Sequence, residues 1–271
     1  MESLKALFRF YINASIHVAL AVVALTALTA LEHGLNLDIS FLLFLFLSTV
    51  TAYNFVKYAP LAKLYHKRLT DQLKQIQLFS LLVFIVLCVN VWFVNMQILV
   101  VSSFSALLTL LYAIPIGRKN LRETSVLKVF IIALIWTITT LGLPFFYNFS
   151  EIPPLTLPYF LLCLERFSIV LLLMIPFEIR DYRFDRHRIM TLVTVFGLNQ
   201  IKKLAFTLLI LLTLLSVYQR QEEALWFYLV MYSSLGFFIY SAKEIQHPYF
   251  ASFWVESLPI FWFLLKILIY I

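Results

Sequence analysis

Apolar residues run along this chain in blocks of about twenty, parted by short clusters of charge. A bilayer core of about 30 Å takes about 20 apolar helical residues to cross. Blocks of that length fall near 10–31, 39–57, 77–95, 97–116, 127–147, 156–177, 203–219, 225–242 and 250–270. Only Asn95, Met96 and Gln97 part the third block from the fourth. They count as two because about forty apolar residues exceed one crossing. The pattern predicts an all-α polytopic membrane protein with about nine transmembrane helices, a helical bundle in which 1–271 form a single domain.

Composition agrees. Of 271 residues, 62% are hydrophobic and 13% charged, where soluble proteins average about 25% charged. Mean hydropathy is +0.92. The 27 Phe and 14 Tyr suit lipid-facing and interfacial positions, and 5 Gly are too few for small-residue helix packing to be the main device. Cys88 and Cys163 lie inside apolar blocks and read as small buried hydrophobes. The first block is too long for a cleaved signal and lacks a small-residue cleavage site, so it is expected to stay as a helix.

The net charge of +7 is a matter of topology rather than of nucleic-acid binding. With the N-terminus in the cytoplasm, 18 of the 21 Lys and Arg face inward, Arg220 alone faces outward, and Arg166 and Lys266 fall within blocks. That is the bias of cytoplasmic loops toward positive charge. The two longest charged loops, about 57–76 and 178–202, then both face the cytoplasm, four helices apart, as in a duplicated four-helix unit followed by a ninth helix. Short loops and the lack of an organelle-targeting sequence point to a prokaryotic inner membrane.

The densest chemistry lies in PFEIRDYRFDRHRIMTLVTVFG, from Pro176 to Gly197. Glu178, Asp181 and Asp185, spaced by three and four, share one face of a helix. Such a face can bind a hard cation through oxygen. It can equally pair with Arg180, Arg183, Arg186 and Arg188, and the spacing leaves both readings open. Four ionisable residues fall inside spans: Glu165, Arg166, Glu256 and Lys266. Such groups are costly in lipid and face a partner or a cavity. Lys266, near a helix end, is expected to snorkel, and Glu165 either pairs with another helix or lines a cavity. His17 and His33 are expected near the outer side, and His66, His187 and His247 stand alone. No spacing suggests zinc or haem, and the sequence has no phosphate-binding glycine loop and no nucleophile elbow.

The nine blocks with an acidic cluster after the sixth resemble the UbiA superfamily of intramembrane prenyltransferases. That family's second motif, D-x-x-D-x-x-x-D followed by a basic segment, a Thr-Leu pair and a Gly, is similar to Glu178, Asp181, Asp185, Arg186, Thr191, Leu192 and Gly197, with Glu for the first Asp. The family's Tyr-Ser-x-Pro-x-Lys-Arg segment is matched in part by Tyr112, Pro115 and Arg118, with Gly117 where Lys would stand. The first motif, N-D-x-x-D-x-x-x-D, corresponds to Asn54 through Ala62. There Asn54 remains and every aspartate is gone, Asp71 being the only acid in the loop.

The resemblance implies transfer of a prenyl group from a prenyl diphosphate to an apolar or aromatic lipophilic acceptor in the bilayer, with Mg²⁺ neutralising the leaving group. It implies Glu178, Asp181 and Asp185 as metal ligands, Asp181 and Asp185 as catalytic, and Asn54, Lys57, Arg118, Lys119 and Arg180 on the diphosphate. With one acidic wall missing, Lys57, Lys63, Lys67 or Arg68 could take over leaving-group charge. The missing aspartates equally suit altered or lost activity, that is, a non-catalytic lipid-binding or scaffolding protein on the same fold with a protein partner. A transporter-like role is a third reading.

Overall fold

Backbone groups in lipid find hydrogen-bond partners only within their own segment, so apolar blocks of bilayer length become helices. The computed structural model describes residues 2–62, 70–113, 126–149, 156–185, 190–219 and 222–270. Among them there is no strand. The helices are α1 (Glu2–Asn13), α2 (Ile16–His33), α3 (Ile39–Ala62), α4 (Asp71–Asn90), α5 (Met96–Ala113), α6 (Leu127–Thr137), α7 (Leu143–Phe149), α8 (Leu157–Asp185), α9 (Leu192–Phe196), α10 (Leu198–Gln219), α11 (Glu222–Ser241) and α12 (Leu258–Tyr270). A π-helical segment, Ile138–Gly142, joins α6 and α7 into one span, and another, Phe250–Val255, leads into α12. Eight described helices are long and apolar enough to cross a membrane, and the apolar stretch Leu225–Ser241 of α11 is a shorter ninth. Each of the nine expected blocks therefore holds a helix among its described residues, and the protein is an integral membrane protein.

The structure corrects the sequence reading at the start of the first block. The crossing helix begins at Ile16, and the residues before it form the separate helix α1. The break is at Ser15, whose φ of 62° makes it the non-glycine residue with positive φ among those described. α1 sets the Phe8 ring edge-on to Tyr249 and Phe253, at centroid distances of 4.9 and 5.2 Å, and Phe10 against Phe79 at 5.4 Å. It leaves Leu4, Lys5, Leu7 and Arg9 exposed. Apolar and basic side chains on one exposed helix face suit the membrane interface.

The junction between α1 and α2 is tied to α3. The Ser15 hydroxyl donates to Asn54 Oδ1 at 2.8 Å, and the Lys57 ammonium donates to Ser15 Oγ at 2.9 Å. Asn54 Nδ2 donates to the Ala14 carbonyl and to Ser80 Oγ, and the Tyr58 hydroxyl to the Asn13 carbonyl. A left-handed backbone at a non-glycine residue costs about 1–2 kcal/mol, which these bonds offset. Ser15→Ala keeps the strain and drops both side-chain bonds, whereas Ser15→Gly drops the bonds but relieves the strain. The alanine variant should therefore be the less stable by about 1 kcal/mol, read as the difference between the two melting temperatures in detergent.

Three further expectations change. α8 runs unbroken for 29 residues through Pro176, so Glu178, Asp181 and Asp185 sit on the last turns of a crossing helix rather than in the following loop. His17 lies in the first turn of α2, at the opposite end from His33. Its Nε2 faces the Phe253 carbonyl at 3.0 Å, so this nitrogen carries the proton, and Nδ1 accepts from the Tyr11 hydroxyl at 2.7 Å. Lys266 does not snorkel. It is buried, with its ammonium 4.7 Å from the centre of the Phe227 ring. Cys163 is half-buried and Cys88 is exposed on α4, facing outward where lipid would lie.

Asp38 starts α3. Its carboxylate accepts from the Phe41 N–H at 2.8 Å, from the Ser40 hydroxyl at 3.0 Å and from the Tyr147 hydroxyl. These bonds, Tyr147's foremost, hold the Asp38 carboxyl below the usual carboxylate range. A depressed pKa contributes stability that is complete above about pH 4 and lost as pH falls through the folded value. The protection factor of the Phe41 amide, its exchange rate relative to the unfolded chain at the same pH, should therefore fall on acidification in the wild type, and Asp38→Asn should remove most of that pH dependence.

Apolar packing falls into three clusters. The largest unites α2, α6, α8, α10, α11 and α12 around Leu25, Leu172, Leu235 and the fully buried Trp262. Phe41, Phe44, Leu45, Ile98 and Leu143 form a second, and Ala19, Leu47, Val50 and Val83 a third. The seam between the large cluster and the two smaller ones is not filled.

Candidate functional site: a chamber with a charged end

That seam is a cavity of about 570 Å³. Its walls come from α2, α3, α5, α6 and α8, with Ile12 of α1, Leu87 of α4, Leu143 of α7 and residues of the last span. Along α3 it reaches from Phe44 to Lys57, thirteen residues or about 20 Å of helix. Most of the wall is apolar, including Val22, Leu87, Leu99, Ile132, Met174 and Phe177. Several hydroxyl residues also line it, yet most turn their oxygen away. Ser48 and Thr49 bond the Phe44 and Leu45 carbonyls, Ser102 the Leu99 carbonyl, and Thr109 the Ser105 carbonyl. Bonds back to the preceding turn leave methyl and methylene groups on the free side. Tyr53 accepts from the Trp136 indole at 2.8 Å. Ser105 is the lining residue whose buried hydroxyl has no hydrogen-bond partner among the described residues.

Charge gathers at one end. Lys57, Arg180 and Glu256 are the ionisable Lys, Arg, Asp and Glu side chains among the described lining residues. Lys57 is positioned by Ser15, as above. Arg180 is positioned by its neighbour: Asp181 accepts from Nε at 2.7 Å and from Nη2 at 3.2 Å. The guanidinium also lies over the Phe177 ring, 5.2 Å from its centre. Glu256 follows the π-helical segment at the start of the last span. It is a site residue that the sequence reading did not assign, although a carboxylate inside a span was the signal that could have found it.

The other residues expected at the site lie elsewhere. Asn54 is 3% exposed, and its amide is committed to Ala14, Ser15 and Ser80. Glu178, 2% exposed, pairs with Lys128 at 2.8 Å. The structure thus joins each of two acids to a cation and does not bring them to a common point. Among the described residues, no group of three or more His, Cys, Asp or Glu is placed to hold a metal ion. The Asp185 side chain, Arg118, Lys119, Lys63, Lys67 and Arg68 lie outside the described residues, as does the segment from Pro115 to Gly117. Thr191 and Gly197 serve the backbone: Thr191 caps α9 in a reciprocal pair with Thr194, and Gly197 closes it with φ 79°.

The arrangement of helices decides the fold. The chain superposes on a UbiA homologue from Archaeoglobus fulgidus bound to DMAPP and Mg²⁺, with a TM-score of 0.63 over 96% of this chain and 98% of that one, at 13% identity. The chain has the UbiA fold. The same homologue bound to GPP and Mg²⁺ gives a TM-score of 0.61 over 96% and 99% of the two chains. A digeranylgeranylglyceryl phosphate synthase structure gives 0.55 over 99% and 98%, at 16% identity. No family model matches the sequence, and no curated protein matches it at the level of sequence. Within this UbiA fold, the chamber of about 570 Å³ lies between the helices of the described residues. The second cavity, about 20 Å³, lies beside Glu32, Glu165 and Arg166.

Proposed function

We propose that this chain is a single-domain intramembrane protein, N-terminus cytoplasmic, that binds a prenyl diphosphate and transfers its prenyl group to a lipophilic acceptor. The observation that carries the reading is the chamber itself, a long apolar space whose hydroxyls are turned away and whose cations gather at one end. Relatives of this fold hold GPP, DMAPP and Mg²⁺, which supports an isoprenoid tail along α3 and α5 with its headgroup beside Lys57 and Arg180. In the transfer, the bond from the first prenyl carbon to the diphosphate oxygen breaks and its electrons leave with the diphosphate. The acceptor supplies the pair for the new bond and gives up a proton. Lys57 and Arg180 stabilise the departing anion. Glu256, the carboxylate of the described lining, is the group within the chamber to receive the proton.

The Mg²⁺ of the relatives is not matched by the described residues, since Glu178 and Asp181 are engaged by Lys128 and Arg180. That pairing is also the observation favouring the alternative, a lipid-binding protein without turnover, with a protein partner. Both readings bind the ligand, and diphosphate release separates them. Purified protein in lipid nanodiscs with labelled geranyl diphosphate and a membrane-lipid acceptor extract should release diphosphate above a protein-free control. Ala52→Phe, which fills the chamber wall beside Tyr53, should weaken binding by about tenfold or more. Binding without release in the wild type would leave the non-catalytic reading. Unchanged binding in Ala52→Phe would remove the chamber as the site.

A further inference from the structure

The two walls of the charged end carry opposite chemistry from a metal site. On α3, the charged residue lining the chamber is Lys57, while Asn54, which does not line it, is spent on the α1–α2 junction. On α8, the chamber-facing residue is Arg180, and the acids on either side of it point to cations. A divalent cation placed between Lys57 and Arg180 meets like charge from both sides, whereas a phosphate there meets two opposite charges. With Glu256 ionised, the three chamber groups sum to one positive charge, two cations less one carboxylate. The site therefore attracts an anion before any metal is added.

We infer that this headgroup site works without a divalent metal, Lys57 and Arg180 holding the phosphate of the isoprenoid directly. The inference rests on the chamber being the prenyl-phosphate site. Asp181 acts here as a positioning residue. It takes one edge of the guanidinium, using Nε–H and one Nη2–H, and so leaves three of the five N–H donors that a guanidinium carries. An arginine held along one edge is fixed in plane and still offers N–H groups to a phosphate, the geometry in which arginine outperforms lysine. Ser15 fixes the other cation, its oxygen taking one of the three protons of Lys57. Each cation is thus held by one polar neighbour with donors to spare. Of the acids of α8, Asp181 thus serves to hold a chamber cation rather than a metal.

The test is binding of a non-hydrolysable geranyl diphosphate analogue to the full chain in nanodiscs, once in EDTA and once in millimolar Mg²⁺. The expected result is a Kd that agrees within about twofold between the two conditions. Lys57→Met and Arg180→Met should each weaken binding about tenfold or more in both, and Lys57→Arg should retain it. Asp181→Asn should weaken binding about threefold without changing the response to Mg²⁺, and Asp181→Glu should restore it. Because Lys57→Met also loosens the α1 junction, its melting temperature is read alongside. Weak binding by Lys57→Met with a wild-type melting temperature supports a direct contact. A wild-type Kd that tightens tenfold or more with Mg²⁺, with the gain lost in Asp181→Asn, would overturn the inference and leave the proposed function standing. No binding in either condition would overturn both.

Discussion

Lys128→Met should destabilise the protein by about 3–5 kcal/mol, the usual cost of leaving one partner of a buried ion pair behind. Lys128 and Glu178 are 2.8 Å apart, with side chains 12% and 2% exposed, so solvent screens them little. Removing the ammonium leaves a carboxylate buried between α6 and α8. The double variant Lys128→Met/Glu178→Met should recover most of the loss, because a buried ion pair replaced by apolar side chains is often neutral or better. The pair of variants is read by SDS titration of the purified protein. A single-variant loss under about 1 kcal/mol would put Lys128 and Glu178 in the class of solvated surface pairs. The variants also bear on the chamber, since Glu178 lies two residues before Arg180. A melted last turn of α8 would misplace the guanidinium, so Lys128→Met should weaken ligand binding in proportion to the helix it frays, and the double variant should restore it.

Arg166→Met is the second large effect expected, at about 3–5 kcal/mol. The Arg166 guanidinium reaches across to α2, donating to the Leu25 carbonyl at 3.3 Å and to Thr29 Oγ1 at 3.0 Å. Thr29 in turn donates to the Thr140 carbonyl at 2.8 Å, in the π-helical segment of the fifth span. A π turn sets its carbonyls out of the regular ladder, which is how Thr140 reaches a foreign donor. Beside Arg166, Glu165 accepts from the Tyr232 hydroxyl at 2.5 Å, which lies 2.8 Å from Ser216 Oγ, and Glu32 accepts from the Tyr228 hydroxyl. Lys266 lies beneath the ring of Tyr228 as well as that of Phe227. Two acids and two bases thus share this end of the bundle, and deleting one base leaves an excess negative charge in a water-poor space. Arg166→Lys should cost less than Arg166→Met, since it keeps the charge and loses the fork. Equal losses in the two variants would show that the hydrogen bonds to α2, rather than charge, carry the contribution. The small cavity among these groups is no rival to the chamber, having room for about one water.

How much of this was written in the sequence depends on what distance each feature spans. The nine crossings were legible because lipid imposes a length on every one of them, and length can be counted. α1 was hidden because its apolar face merges with the next block, and because Ser15, rather than glycine, takes the left-handed turn. The acids at 178 and 181 were legible as a cluster, but spacing left open whether they bind a metal or the interleaved arginines. The answer came from Arg180 sitting beside Asp181 and from Lys128, fifty residues away. Asn54 was visible and its work was not, because Ala14, Ser15 and Ser80 are set beside it only by packing. The hydroxyls on α3 and α5 read as polar in sequence, and only their bonds to the preceding turn make the chamber wall apolar. Glu256 could be marked as an expensive carboxylate inside a span, but which wall it faces is a property of the assembled bundle.

The Phe253 carbonyl that holds His17 belongs to a residue 236 positions further along the chain. Chains are made at about 5–20 residues per second, so the first crossing helix waits tens of seconds in the membrane before its partner is synthesised. Over that interval α1 can rest at the interface on its own amphipathic face, while Ser15 has Asn54 and Lys57 to hold it as soon as α3 arrives. The span ending in α12, packing against α2, then brings Glu256 to the chamber. Arrival of that span therefore supplies the site with its carboxylate. A ribosome stalled before Phe250 should leave α2 open to crosslinking by lipid or insertion machinery, and insertion of α12 should protect it.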